Sequence, residues 1–280
     1  MKGYYCSHQL LFFLFSVICC SLVSQAQVSH QEICERNFRA YPLLQDSFKD
    51  QIAKVCGEVT TRDGCVSVQG RPIYYWDFRT QNKNPKKIFA LSLIHGDEVD
   101  SIKVLHHWML RLSQLPQARN HWRLLPVANP DGFEHKTRVN YRRIDLNRNF
   151  PTKNWENQAL DFWKKIGSPS RRYPGERPGS EPEVQCLIEL FKEYDPDLVV
   201  SIHTPLGVLD FDGPQIHNVP KNLTLPWKSL GHFPGSLGRY LWAERKVPVL
   251  TVELDQTPPK TYLEVEVLQD FIGSLVQQIR

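Results

Sequence analysis

"LSLIHGDEVDS", Leu91 to Ser101, is an apolar run that stops at an imidazole and two carboxylates. Extended backward it becomes "KKIFALSLI" (86–94), apolar at successive rather than alternating positions. Such a run belongs to a strand covered on both faces, as in the parallel sheets of α/β proteins. Extended forward, "VDSIKVLHHWMLRL" (99–112) sets Val99, Ile102, Leu105, Trp108, Met109 and Leu112 at helical spacing. His95 and Glu98 therefore stand just past the carboxyl end of a buried strand, where open α/β sheets bind ligands. Alone, the pair fits either a polar turn that opens a helix or half of a metal site.

The rest of the chain repeats the pattern. "HWRLLPVANPDG" (121–132), "DLVVSIH" (197–203) and "VPVLTVEL" (247–254) read as further strands. "VSVQGRPIYYWDF" (66–78) reads as two strands around Gly70-Arg71-Pro72. "EPEVQCLIELFKEY" (181–194) reads as a helix, with Glu181 and Glu183 at its positive N-terminal end and Pro182 in the first turn. "YLEVEVLQDFIGSLVQQI" (262–279) reads as a final helix. Pro151 to Ser180, rich in Pro, Gly, Trp and charge, is expected to be an ordered loop region with little regular structure. Buried strands alternating with helices give an α/β sheet with helices on both faces.

Polar residues follow four of these strands: His95 with Glu98, Asn129 with Asp131, His203, and Glu253. If the strands are parallel neighbours, two histidines and two glutamates meet at one rim. Catalytic zinc takes three protein ligands and keeps a position open. His95 and Glu98, three residues apart, can be aimed together by a turn, and His203 would complete the set. A satisfied core histidine is the plain alternative for His203 taken alone; the joint pattern favours metal. Glu253 would be a costly buried charge without a task. Beside an activated water it can act as base. "TRVNYRRIDLNRNFP" (137–151) gathers Arg138, Arg142, Arg143 and Arg148. Guanidinium forks match carboxylates. Arg148, between Leu146 and Phe150, would face inward and needs a partner, whereas Arg142 and Arg143 also suit a solvated face.

Composition narrows the classes. The 280 residues are 41% hydrophobic and 23% charged, which suits one large core or two small ones. The net charge of +4 comes without a basic cluster and readout motif together, which disfavours nucleic acid. "LLFFLFSVICC" (10–20) followed by Ser24-Gln25-Ala26 reads as a secretory signal peptide cut after Ala26. The run is short for a membrane span, which needs ~20 residues. The expected address is periplasmic or secreted. Cys34, Cys56, Cys65 and Cys186 then remain, and disulfides are permitted. Gly57 and Gly64 beside Cys56 and Cys65 favour a Cys56–Cys65 closure among three possible pairings, with Cys186 a buried thiol. No Cys-x-x-Cys pair supports zinc binding by these cysteines. The expected organisation is a signal peptide at 1–26, a polar helical extension at 27–65 and a catalytic domain at 66–280.

In order, "HGDE" (95–98), "NPDGF" (129–133), Arg138 with Asn140, "DLNRNFP" (145–151), "PGSEPE" (178–183), "SIHTP" (201–205) and "LTVEL" (250–254) resemble the motifs of zinc metallocarboxypeptidases of the carboxypeptidase A type. The resemblance runs from about Val66 to the C-terminus and is nearest to the bacterial murein peptide amidases. It implies a mixed, roughly eight-stranded twisted sheet and one Zn²⁺ held by His95, Glu98 and His203. It implies Glu253 as general base and Arg138 as the group that polarises the scissile carbonyl. It implies Asn147 and Arg148 as the pair that holds the substrate's terminal carboxylate. The implied partner is a peptide, with murein stem peptides fitting best because Arg142 and Arg143 would favour a multiply carboxylated substrate. Two departures stand out. "GHFPGSLGRY" (231–240) has His232 and Phe233 where the family carries a substrate-capping tyrosine, with Tyr240 as a substitute. Arg143 stands where the family often has glycine. Competing readings are a general metallocarboxypeptidase, an N-acyl-amino-acid deacylase of the aspartoacylase type, and a non-catalytic peptidoglycan-binding protein.

Overall fold

The computed structural model describes residues 28–39, 48–216, 225–255 and 262–279. The expected signal peptide lies outside these residues. Two helices, α1 (His30–Arg39) and α2 (Lys49–Gly57), lead into β1 (Thr60–Val66) and β2 (Pro72–Phe78). Then come β3 (Lys87–Ser92), α3 (Asp100–Gln114), β4 (His121–Leu125), α4 (Pro130–His135) and α5 (Trp155–Lys165). The chain continues through α6 (Pro182–Tyr194), β5 (Leu198–His203), β6 (Leu206–Asp212), β7 (Val249–Asp255) and α7 (Tyr262–Leu275).

Among the described residues the sheet has seven strands in the order β1-β2-β4-β3-β5-β7-β6. The central four, β4-β3-β5-β7, are parallel, and antiparallel pairs close both flanks. The mixed α/β architecture, with helices over a sheet of about the expected size, is as read. Among the parallel strands β3, β5 and β7 are largely apolar because both faces are covered, while β4 carries the buried Arg123. Ile88 and Ala90 join α3 and α7 in one core layer, whereas Phe89 and Leu91 join α6 in the other.

Three local readings change. Val66 ends β1 rather than starting a strand, so the ladder begins inside the segment expected to be helical. The stretch 151–180 contains a full helix, α5, anchored by buried Trp155 and Ala159. The disulfides are Cys34–Cys56 and Cys65–Cys186, not Cys56–Cys65. Cys56 lies in the layer with α1 and Cys65 in the layer with α6, so the two neighbours in sequence occupy opposite faces of the sheet.

A buried polar knot fastens α6 to the loop that carries the arginines. Asn140 donates from its amide to Glu181 (2.7 Å) and Glu183 (3.2 Å). The backbone N–H of Val68 donates to Glu183 as well (3.1 Å). Burial pushes the Glu183 carboxyl from 4.5 up to about 7, opposed in part by these hydrogen bonds. Between those two values the folded chain holds a proton that the unfolded chain has released. Stability from this group is therefore greatest below pH 4.5, falls through the window up to about 7, and is level above it. Glu183→Gln is expected to flatten this fall. Its stability relative to wild type should improve by roughly 3 kcal/mol between pH 4.5 and pH 8 in urea titrations. An unchanged difference would remove the protonation argument.

Candidate active site

The register of three strands builds one wall of a cavity of about 530 Å³. His203 on β5, Glu253 on β7 and Val208 on β6 are direct cross-strand partners. One step down, Ser201, Thr251 and Asp210 form a second row, and Val199, Val249 and Asp212 a third. Directly paired residues share a sheet face, and alternate rows are ~7 Å apart. The first row lies at the carboxyl ends of the parallel strands, as the apolar runs implied.

The turn after β3 brings in the remaining groups. Glu98 N–H donates to His95 O (3.2 Å), and Ser101 N–H to Glu98 O (3.0 Å), so "HGDE" folds back on itself. Gly96 has no room for a side chain, since a Cβ would meet the Gly132 backbone at 2.0 Å. His95 Nδ1 then lies 2.7 Å from Glu98 Oε1, and His203 Nδ1 lies 2.9 Å from Glu98 Oε2. The two imidazole Nδ1 atoms are 3.2 Å apart. His95, Glu98 and His203 are all buried, and their ligand atoms fall within 4.8 Å of one another.

These residues fit zinc on two grounds. Two imidazoles and a carboxylate are a borderline-soft donor set that zinc favours. The outward ring nitrogens are also held: His95 Nε2 by Asp145 Oδ1 at 3.2 Å, and His203 Nε2 by Ser201 Oγ at 2.8 Å. A ring that donates outward presents its Nδ1 lone pair inward, the arrangement that orients a metal-binding histidine. Burial alone would raise the Glu98 carboxyl, but the two imidazoles outweigh it and hold it below the usual carboxylate range. Asp145 behaves likewise, with Arg138 and His95 overcoming its burial. Asp145 and Ser201 were not assigned roles from sequence, although "DLNRNFP" contains the first and strand alternation with His203 marks the second.

The other expected residues line the same cavity. Arg138 reaches Glu98 Oε1 at 3.2 Å and Asp145 Oδ2 at 3.1 Å. Asn147 accepts from Leu237 N–H through Oδ1 (2.8 Å), leaving its amide NH₂ as donor. Arg148 is 9% exposed, donates to Asn147 O at 2.6 Å, and lies 4.7 Å over the Phe233 ring. Among the described residues its Nε has no hydrogen-bond partner, nor has Oε2 of Glu253. Burial pushes the Arg148 guanidinium down, with Asp145 opposing and Arg138 and Arg172 adding to the effect. A buried cation with an unmet donor is a site for an anion.

Arg142 and Arg143 stand elsewhere. Neither lines this cavity; Arg142 lies 3.6 Å from Glu181 beside the Cys65–Cys186 disulfide. Arg143 has φ 63°, so it adopts the left-handed turn that glycine takes without strain. Arg143 is exposed and outside the cavity lining. The basic residues that join Arg138 and Arg148 at the cavity are Arg171 and Arg172, from a stretch read only as loop. Tyr240 does not line the cavity either; it is buried against Phe150. Phe233 occupies the wall in its stead.

Residues 46–211 match the family model described as zinc carboxypeptidase. The chain is 33% identical over 220 residues to murein peptide amidase A of Vibrio campbellii, covering 75% of this chain and 85% of that protein. Its structure is similar to that of the murein-tripeptide amidase of Escherichia coli O157 (TM-score 0.56, 26% identity, 79% of this chain and 91% of that one). Thrombin activatable fibrinolysis inhibitor shares the fold (TM-score 0.65, 16% identity, 83% of this chain and 72% of that one). With this family match and with two histidines and a glutamate gathered at the sheet rim, the chain belongs to the zinc carboxypeptidase family and is a zinc hydrolase.

Proposed function

We propose that this chain hydrolyses the amide bond before a C-terminal, carboxylate-bearing residue, and that its substrates are murein stem peptides cut between γ-D-glutamate and diaminopimelate. Hydrolysis rests on one observation: His95, Glu98 and His203 share a cavity with the unpartnered Oε2 of Glu253. The murein substrate is supported by likeness to proteins named for murein peptides.

His95, Glu98 and His203 would hold the zinc, which when bound would supply a water of pKa near about 7 and polarise a carbonyl. Glu253 Oε2 takes a proton from the attacking water and later delivers it to the leaving amine. Arg138 turns its guanidinium to the oxygen that gains charge as the carbonyl becomes tetrahedral. Asp145 keeps both Arg138 and His95 in position. Asn147 NH₂ and the guanidinium of Arg148 hold the terminal carboxylate, which sets the scissile bond at a fixed distance from Glu253. The same groups would serve a general metallocarboxypeptidase.

Incubating the zinc-loaded protein with L-Ala-γ-D-Glu-meso-diaminopimelate, beside ordinary α-linked dipeptides, tests the reading by product mass. Release of diaminopimelate as the fastest reaction is expected. Faster release from the α-linked peptides would reject the murein substrate and leave a carboxypeptidase. Arg148→Ala is expected to raise KM and to lower kcat/KM by about 10- to 100-fold, the worth of a charge-assisted hydrogen bond. Capping the substrate carboxylate as an amide should hurt wild type by a similar factor and hurt the variant little. Equal penalties in both would remove Arg148 from carboxylate binding.

We also propose that residues 1–26 direct the protein to the periplasm or outside the cell. In the same reading the segment 27–65 is an extension joined to the catalytic body, 66–280, by the pairing of β1 with β2 and by Cys65–Cys186. No helix among the described residues is long and apolar enough to cross a membrane.

A further inference from the structure

Asp131 of "NPDGF" is fully buried, yet the mechanism does not use it. It sits in the first turn of α4 and clamps the tip of the β1–β2 hairpin. Ser67 Oγ donates to its Oδ1 (2.7 Å), Gln69 N–H to its Oδ2 (3.0 Å) and Arg71 Nη1 to its Oδ1 (2.6 Å). Arg71 Nη1 also donates to Gln69 Oε1, and His135 Nε2 stands 2.8 Å from that oxygen. A carbonyl oxygen only accepts, so His135 donates to it, and Gln69 keeps its amide NH₂ free to donate elsewhere. The row ends at Tyr141, whose ring lies 5.9 Å from that of His135 and is 55% exposed. Tyr141 heads a turn closed by Arg143 N–H to Asn140 O at 2.9 Å. Buried Asn140 pins this turn too: its Oδ1 accepts from the N–H groups of Arg142 and Ile144, while its amide holds Glu181 and Glu183. Exposed loop tips are ordinarily the loosest parts of a fold. Here two of them are fixed from beneath by buried polar groups, so an open ring and a line of donors stand already ordered for a ligand.

We infer that Tyr141, His135, Gln69 and Arg71 form a sugar platform, which takes the N-acetylated, lactyl-bearing sugar to which a murein stem peptide is joined. The inference deepens the proposed function and rests on its murein substrate. The Tyr141 ring packs against the apolar C–H face of a pyranose, as an amphipathic aromatic can at a wet surface. The amide of Gln69 and the guanidinium of Arg71 donate to acetamido and hydroxyl oxygens. The spacing agrees. Arg138 lines the cavity, and Tyr141 follows three residues on, within roughly 11 Å of backbone. From the scissile carbonyl, γ-D-glutamate and L-alanine span about 9 Å before the lactyl group, two extended residues with the γ-linkage adding its extra carbons. A glycan-linked stem peptide thus reaches from the cavity to the ring, whereas a free tripeptide stops short of it.

The test compares two substrates that share L-Ala-γ-D-Glu-meso-diaminopimelate. One is the free tripeptide; the other carries it on the lactyl group of N-acetylglucosaminyl-N-acetylmuramic acid. The readout is the ratio of their kcat/KM values. Wild type should favour the glycan-linked form by roughly tenfold, the worth of one ring contact with a hydrogen bond. Tyr141→Ala should bring the ratio close to one, and Gln69→Ala should lower it by about threefold. The peptide-free disaccharide gives a second reading that needs no turnover. In saturation-transfer NMR its pyranose protons should respond to wild type and not to Tyr141→Ala. A wild-type ratio near one, or a ratio unchanged in Tyr141→Ala, overturns the inference. If neither substrate is cut, the murein substrate falls and the disaccharide alone decides. Saturation lost with Tyr141 then upholds the platform; no saturation, or equal saturation in both proteins, ends it.

Discussion

Glu253→Gln is expected to lower kcat by about 10²- to 10⁴-fold, the range for removing a positioned acid–base group. KM and zinc content should stay near wild type. The amide is nearly isosteric with the carboxylate, and Glu253 Oε2 has no hydrogen-bond partner among the described residues, so little of the fold depends on that oxygen. Glutamine cannot take a proton from water or return one to the amine. Because Glu253 pairs in register with His203, the defect arises beside the proposed metal site rather than in substrate binding further along the cavity. A variant within tenfold of wild-type kcat would remove Glu253 as the base. A non-catalytic binding protein, by contrast, would show no zinc-dependent turnover in wild type to lose.

The second large effect is expected from His203→Ala. Activity should fall to background, and bound zinc, measured by atomic absorption after gel filtration, should fall from one per chain to a small fraction. Catalytic zinc relies on three protein ligands, and this substitution leaves two. Asp145→Asn gives a graded control: it keeps all three ligands but weakens the outward hold on His95, where such changes cost about 10- to 100-fold in metal affinity or activity. Full zinc occupancy with wild-type turnover in His203→Ala would end the metal assignment. Loss of zinc in both variants, deeper in the first, is the pattern expected of a ligand and of the group that orients one.

Physical periodicity explains which elements were legible. The strands β3, β5 and β7 are buried on both faces, so their sequences are continuous apolar runs that announce themselves. Strand β6 did not, because "LGVLDFDG" (206–213) interleaves two aspartates whose polarity comes from facing a cavity, not solvent. Helix α5 was hidden in a stretch whose prolines and glycines lie to either side of it. Its buried residues, Trp155 and Ala159, mark one narrow face.

The site divides along the same line. Glu98, His203 and Glu253 were readable because a charged or imidazole side chain at the end of an apolar strand has few inexpensive explanations. The arginines were not separable by sequence. Arg142 and Arg143 sit closer in the chain to the "DLNRNFP" motif than Arg171 and Arg172, yet the first pair is exposed outside the cavity and the second pair lines it. Likewise Tyr240 has the right residue type but is taken up by the core beside Phe150.

From its amino acids alone, this chain declares a buried parallel sheet, its ends, and the donors that stand there, because burial on two faces and the cost of stray charge act locally. Cross-strand register, the layer to which each cysteine belongs and the direction of each arginine depend on contacts between segments distant in sequence. Those contacts, made only on folding, decided that Asp210 and Asp212 share a wall with Glu253 and that Cys65 pairs with Cys186.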